Sequence, residues 1–264
     1  MPVCSRSTVK TQHGEMPVLV FVHGLLGDVS DWQSTLKYLP HFPSLCLDLP
    51  GHGQLSHYNI DDFTDSDSWL KRALKEALPP KQPYVLIGYS LGARIIMHAL
   101  MSDCLSKETM VAAIIEGGNF GLQSNEEKHL RWQSDQQWSM RFCNEPIEQV
   151  LNDWYQQAVF SDLNHEQRQE LIDLRSDNLG AAIGHMLLAT SLSKQPYLLE
   201  QLKQVEIPVH YIVGEKDKKF RSIAEQSGLS FSQITKAGHN THKMNPKAFA
   251  AVIEKTVLTH MGNG

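Results

Sequence analysis

No two cysteines in this chain form a C-x-x-C pair. Cys4, Cys46, Cys104 and Cys143 are the only four in 264 residues and lie far apart. Neither a metal or thiol-redox motif nor a disulfide framework is therefore expected, and the thiols read as reduced and mostly buried. Runs of one charge are missing too. With 24 Lys and Arg against 29 Asp and Glu, the formal net charge is −5, and without a basic stripe nucleic acid is not an expected partner. No apolar stretch approaches the roughly 18 residues of a membrane span, so no membrane partner is expected. The opening Met-Pro-Val-Cys-Ser-Arg lacks the charged-then-apolar order of a secretion signal, and a cytoplasmic location is expected. Internal repeats and low-complexity tracts are absent, and the oligomeric state is not legible. What remains is a globular composition, 41% hydrophobic and 20% charged, long enough for one large domain with an insertion.

The chain is organised around Tyr84 to Arg94. The β-forming run Tyr84-Val-Leu-Ile87 meets Gly88-Tyr-Ser-Leu-Gly92 and passes into the helical pattern Ala93-Arg-Ile-Ile-Met-His-Ala-Leu100. This is a buried strand, a tight turn and a helix, with Ser90 at the apex. A G-x-S-x-G turn strains the serine backbone and holds its hydroxyl out, while the following helix aims N–H groups at the same point. Ser90 is the candidate nucleophile or base.

Upstream, Pro17 to Val22 reads as a central strand of a parallel sheet. It runs into His23-Gly24-Leu25-Leu26-Gly27, after which Ser30 and Gln33 suggest a capping box for a helix carrying Trp32, Leu36 and Leu39. An acyl-transfer site would take the backbone N–H of Leu25 as one oxyanion donor and that of Leu91 as the other. Ser44 to Leu49 is a further strand. Asp48 is expected to satisfy loop backbone donors, with His52 near a pocket rim. A helix with Trp69, Leu70, Ala73 and Leu74 on its apolar face should stop before Pro79-Pro80. After the strand Val111 to Glu116 the texture becomes polar, without a clear buried strand from Asn119 to Leu202. Helix starts at Asn144/Pro146 and at Asn164 with Gln167 mark this stretch as an all-helical lid. The expected division is an α/β core over 1–118 and 203–264, interrupted by the lid at 119–202. The sheet resumes at Pro208 to Val213, with a short strand around Ile234 and a final helix opened by Asn245-Pro246.

Ser90, Asp217 and His239 each follow a strand and lie beside or near glycine, in the order Ser, Asp, His of α/β-hydrolases. Histidine can take the serine proton near neutral pH, and a carboxylate fixes its tautomer and supports its cation. Glu116 is the alternative acid. The expected fold class is α/β: a mostly parallel sheet flanked by helices, with the helical lid inserted.

Over essentially its whole length the chain resembles the menaquinone-pathway synthases of 2-succinyl-6-hydroxy-2,4-cyclohexadiene-1-carboxylate, which are α/β-hydrolase-fold lyases. The resemblance rests on Gly88-Tyr-Ser-Leu-Gly-Ala-Arg94, Glu116-Gly-Gly, Gly121-Leu-Gln, Asp153-Trp-Tyr-Gln-Gln157, Leu174-Arg-Ser176, Gly214-Glu-Lys-Asp217 and Ala237-Gly-His-Asn240. It implies elimination of pyruvate from a small-molecule tricarboxylate, with neither metal nor organic cofactor. It also implies that Arg94, Arg131 and Arg175 bind carboxylates and that Tyr89, Trp154 and Tyr155 line the pocket. Arginine suits that task because its fork pairs carboxylates and stays charged. The chain departs from the family where Leu25 replaces a common phenylalanine, Ala93 a frequent glycine, and Lys128 and Gln133 arginines found in relatives. The competing reading is a carboxylesterase, thioesterase or carbon–carbon hydrolase using the same triad, for which three arginines would have no use.

Overall fold

Apolar runs flanked by glycine and proline become the strands. The computed structural model describes residues 3–6, 10–11, 14–102, 104–105 and 108–261, with side chains from residue 16 onward. A strand β1 (Val3–Arg6) and a small hairpin of β2 (Lys10–Thr11) and β3 (Gly14–Glu15) precede β4 (Val18–Val22). There follow β5 (Ser44–Leu47), β6 (Tyr84–Tyr89), β7 (Met110–Glu116), β8 (Val209–Gly214) and β9 (Ser230–Ile234). The main sheet has the order β1-β5-β4-β6-β7-β8-β9. Within this sheet, among the described residues, only the β1–β5 pairing is antiparallel.

Helices cover both faces, which is why β4 and β6 are buried along their whole length. Alternation along β4 splits the core in two. Val18, Val20 and Val22 pack with helices α2 (Phe63–Ala77) and α3 (Leu91–Met101). Leu19 and Phe21 face Trp32, the short α1 (Gln33–Leu36) and the long C-terminal helix. The expected Ser30 capping box is not formed. Instead the Asp28 side chain accepts the Ser30 N–H at 2.7 Å, which caps a 3-10 turn over Val29–Trp32 ahead of α1. Asp28 lies two residues before that donor, the reach of a short carboxylate at a cap.

Between β7 and β8 stand α4 (Asn125–Asn144), α5 (Ile147–Trp154), α6 (His165–Arg175) and α7 (Gly180–Ala189). Asn164 and Gln167 form the expected reciprocal capping box on α6, and Ser124 and Glu127 form a second on α4. These helices share an apolar cluster that includes Phe142, Val150, Leu151, Ile172 and Ile183, and Leu26 from the loop after β4 joins it. The short α8 (Leu199–Leu202) returns the chain to the sheet-side core. It is followed by α9 (Lys218–Ser227), α10 (Thr241–Met244) and α11 (Pro246–Met261). The cysteines are less buried than the sequence suggests. Cys46 is in the core, Cys104 is half-buried and Cys143 is exposed, while the Cys4 side chain lies outside the described residues. Among the described residues no helix is long and apolar enough to cross a membrane.

Candidate active site

Ser90 sits between β6 and α3 with φ 49° and ψ −103°, a conformation that costs a non-glycine residue on the order of 1–3 kcal/mol. Two features hold it there. Its N–H donates to the Glu116 carbonyl at 2.8 Å. The helix behind it is pressed so tightly on β4 that a Cβ on Gly92 would collide with the Val22 carbonyl.

Asp217 caps α9. One carboxylate oxygen accepts the Phe220 N–H at 3.1 Å, which turns the other toward His239 Nδ1 at 2.7 Å. That bond places the proton on Nδ1 and leaves the Nε2 lone pair facing Ser90 Oγ at 3.4 Å, a contact of the kind that shortens when substrate closes the site. The imidazole is braced by Phe220 and Tyr89, whose ring centroids lie 4.6 and 5.3 Å away. Glu116 is otherwise engaged. Fully buried, it accepts from the Thr241 hydroxyl at 2.6 Å and from His242 Nδ1 at 2.8 Å.

The backbone N–H groups of Leu25 and Leu91 have no hydrogen-bond partner among the described residues. Leu91 opens α3, where the first N–H lacks an intrahelical acceptor. Leu25 lies in a turn closed by Gly27 N–H to the Gly24 carbonyl at 3.0 Å, and Gly24 packs directly against Tyr89 and Ser90. The next residue, Leu26, has φ 70°. Three contacts hold it. Its N–H donates to His52 Nε2 at 3.0 Å, its carbonyl accepts from Asn178 Nδ2 at 3.0 Å, and its side chain is buried in the helical insertion's cluster.

His23 mirrors this, accepting the Leu49 N–H on Nε2 at 3.0 Å and donating from Nδ1 to the Gly24 carbonyl at 2.8 Å. His52 Nδ1 donates likewise to the Pro50 carbonyl at 2.8 Å. Burial pushes the His52 pKa down to about 3, with the neighbouring His23 adding to the shift, and burial lowers His23 as well. His52 is fully buried, not on a pocket rim as expected, because it serves the backbone of the opposite loop. Asp48 does satisfy loop donors, accepting from Val29 N at 2.9 Å and Gln54 N at 3.0 Å.

The three arginines differ in their partners. Arg94, one turn past Ser90 and 9% exposed, donates from Nε to Gln195 Oε1 and from Nη2 to the Thr190 carbonyl, both at 2.6 Å. Among the described residues it has no carboxylate partner, and burial, with Arg131 nearby, lowers its pKa to about 9. Arg131 bonds Asp135 at 2.8 Å within α4, and Asp135 in turn accepts from the Ser191 hydroxyl at 2.7 Å. Arg175, buried at the end of α6, pairs with Asp31, which also meets the Lys243 ammonium at 2.7 Å. Burial alone would raise the Asp31 pKa, but these two cations outweigh it and hold the carboxyl well below its usual range.

Tyr89 donates to Asn240 Oδ1, Trp154 packs edge-on to Trp138, and Tyr155 packs edge-on to Phe160. Tyr89, Trp154, Tyr155, Arg175 and Leu25 meet around a cavity of about 20 Å³, with Asn240 and Lys243 in its wall. Arg94 and Arg131 form a separate group around residues 190–195. Asp31, Asn178 and Gln195 are residues of the candidate site that no sequence motif flagged, and Asn240 was flagged only as the end of the Ala237-Gly-His-Asn240 motif. Among the described residues no cluster of three or more His, Cys, Asp or Glu is placed to hold a metal ion.

Residues 17–246 match the family model described as alpha/beta hydrolase fold. A 2-succinyl-6-hydroxy-2,4-cyclohexadiene-1-carboxylate synthase of Yersinia pseudotuberculosis is 44% identical over 240 residues, 90% of this chain and 86% of that protein. The chain belongs to this synthase family. A Haemophilus influenzae relative, provisionally named for the same activity, is also 44% identical, over 91% of this chain and 97% of its own length. The solved structure of MenH from S. aureus matches with a TM-score of 0.84 at 23% identity, over 97% of this chain and 98% of that one, so the family's fold is shared throughout.

Proposed function

We propose that the chain is a carbon–oxygen lyase. It eliminates pyruvate from 2-succinyl-5-enolpyruvyl-6-hydroxy-3-cyclohexene-1-carboxylate, leaving 2-succinyl-6-hydroxy-2,4-cyclohexadiene-1-carboxylate for menaquinone synthesis. In this reading His239 takes the Ser90 proton, and the Ser90 oxygen removes the proton α to the succinyl ketone. Asp217 keeps Nδ1 protonated and supports the imidazolium. The N–H groups of Leu25 and Leu91 stabilise the enolate oxygen. The enolate electrons then move through the ring double bond and expel the enolpyruvyl oxygen, so one C–H and one C–O bond break and no acyl-enzyme forms; the departing enolpyruvate gains one proton at its methylene carbon to become pyruvate as the His239 imidazolium gives up the one it took. Tyr89, Trp154 and Tyr155 wall the ring, while Arg94, Arg131 and Arg175 supply positive charge for the carboxylates.

The observation that carries this reading beyond a generic hydrolase is Arg94. A buried guanidinium one helical turn from the base, bonded only to neutral groups, is a standing demand for an anion. A neutral ester would not answer it.

The test is pyruvate release from the enolpyruvyl substrate, coupled to lactate dehydrogenase, beside p-nitrophenyl acetate hydrolysis. Wild type should release pyruvate with negligible esterase activity, and Ser90→Ala should lower that release by roughly 10²- to 10⁴-fold. Ester hydrolysis without pyruvate release would overturn the lyase reading and leave the triad.

A further inference from the structure

Arg131 and Arg175 carry their own counter-ions, Asp135 and Asp31. Arg94 has no carboxylate within bonding reach among the described residues, although it too is buried. The group in the place of a counter-ion is Gln195, fully buried in the segment that leads from the helical insertion back to the core. Its orientation is fixed from both ends. The NH2 donates to the Asn119 carbonyl at 2.8 Å, so the amide oxygen must be the atom facing Arg94 Nε.

A glutamate has the same shape and would complete a buried ion pair, the arrangement usual for an enclosed guanidinium. The amide instead accepts a hydrogen bond from Nε without cancelling the charge. Gln195 and the Thr190 carbonyl together occupy the Nε–Nη2 side of the fork. Nη1 has no partner among the described residues. The same short segment supplies the Ser191 hydroxyl that holds Asp135 against Arg131.

Building on the lyase reading, we propose that Gln195 is a positioning residue that selects for anionic substrate: it orients Arg94 while leaving its charge uncancelled for one substrate carboxylate. The role is exerted through Arg94, and Gln195 itself need not touch the substrate.

Two substitutions separate charge from shape. Gln195→Met and Gln195→Glu both lose the bond to Asn119, and the glutamate also turns an oxygen on that carbonyl, so the part of each effect that vanishes in an Arg94→Met background is what each presents to Arg94. With the full chain and the pyruvate assay, Gln195→Met should raise KM about three- to tenfold as the fork loses one anchor. Gln195→Glu should raise it at least another tenfold, because an internal carboxylate competes with that of the substrate. Between the two variants kcat should differ by less than about threefold. Equal KM values for Met and Glu would overturn the proposal.

If Gln195→Glu does not fold, a double-mutant cycle decides. Gln195→Met should leave KM unchanged in an Arg94→Met background, and an independent increase there would overturn the proposal. Failure of the lyase reading looks different, since wild type itself would then release no pyruvate.

Discussion

His23 and His52 do the opposite of His239, although all three are buried histidines in loops at strand ends. His239 is held by Asp217 on Nδ1 with Nε2 turned toward the Ser90 hydroxyl. The other two are held neutral, each presenting an Nε2 lone pair to a backbone N–H of the facing loop, and protonation would remove that acceptor. The sign of the pH effect follows. His52 is depressed to about 3 in the fold against 6.5 unfolded, so its contribution is complete above 6.5 and is lost as pH falls toward 3, by roughly 1.4 kcal/mol per unit. Urea unfolding should show stability falling between pH 7 and 4.5. His52→Gln, which keeps an acceptor without a titrating group, should flatten that dependence; equal slopes in the two proteins would refute it. Ser90, Asp217 and His239 were legible because each is marked by its immediate neighbours. The state of the arginines was not. Gln195 lies 101 residues from Arg94, and Asp31 lies 144 from Arg175, so whether each guanidinium is free or neutralised depends on folding.

Among the elements, the β6–α3 turn is the most constrained. A methyl on Gly92 would have to enter the carbonyls of Val22 and His23, backbone atoms at the end of central strand β4 and just past it, which cannot step aside. Gly92→Ala should therefore cost at least about 2 kcal/mol in denaturant unfolding. A cost below about 0.5 kcal/mol would mean that α3 can slide. Strands β4 to β9 and helices α2, α3 and α11 were readable from apolar runs and periodicity, whereas β1 and α9 were not expected. Helix α4 was not singled out within the polar stretch, for a physical reason: its buried residues are Asp135, Ser139 and Phe142. Two of these three are polar and one serves Arg131, so no apolar stripe advertises the helix. Its Ser124–Glu127 capping box was the available signal.

For the whole molecule, what matters is how the helical insertion is tied to the core. Arg175 reaches Asp31, His185 Nε2 donates to the Ile60 carbonyl at 2.9 Å, and Asn178 holds the Leu26 carbonyl. These ties gather on the loops after β4 and β5, close to the turn that carries the Leu25 N–H. If the Leu25 N–H is the enolate donor of the proposed mechanism, Asn178→Ala should lower kcat by about tenfold while KM changes little, since that role is exerted on the enolate more than on the bound ground state. A matching rise in KM would place Asn178 in substrate binding. A mostly parallel sheet flanked by helices could be read in advance, but these ties could not, because each joins residues more than 120 positions apart. The burial of Leu26 among insertion side chains has a consequence for engineering. A lid transplanted from another hydrolase to change specificity would arrive without the socket for Leu26 or the amide of Asn178. The turn beneath it would then be free to relax out of its left-handed backbone. Specificity and catalytic competence here cannot be exchanged as separate cassettes.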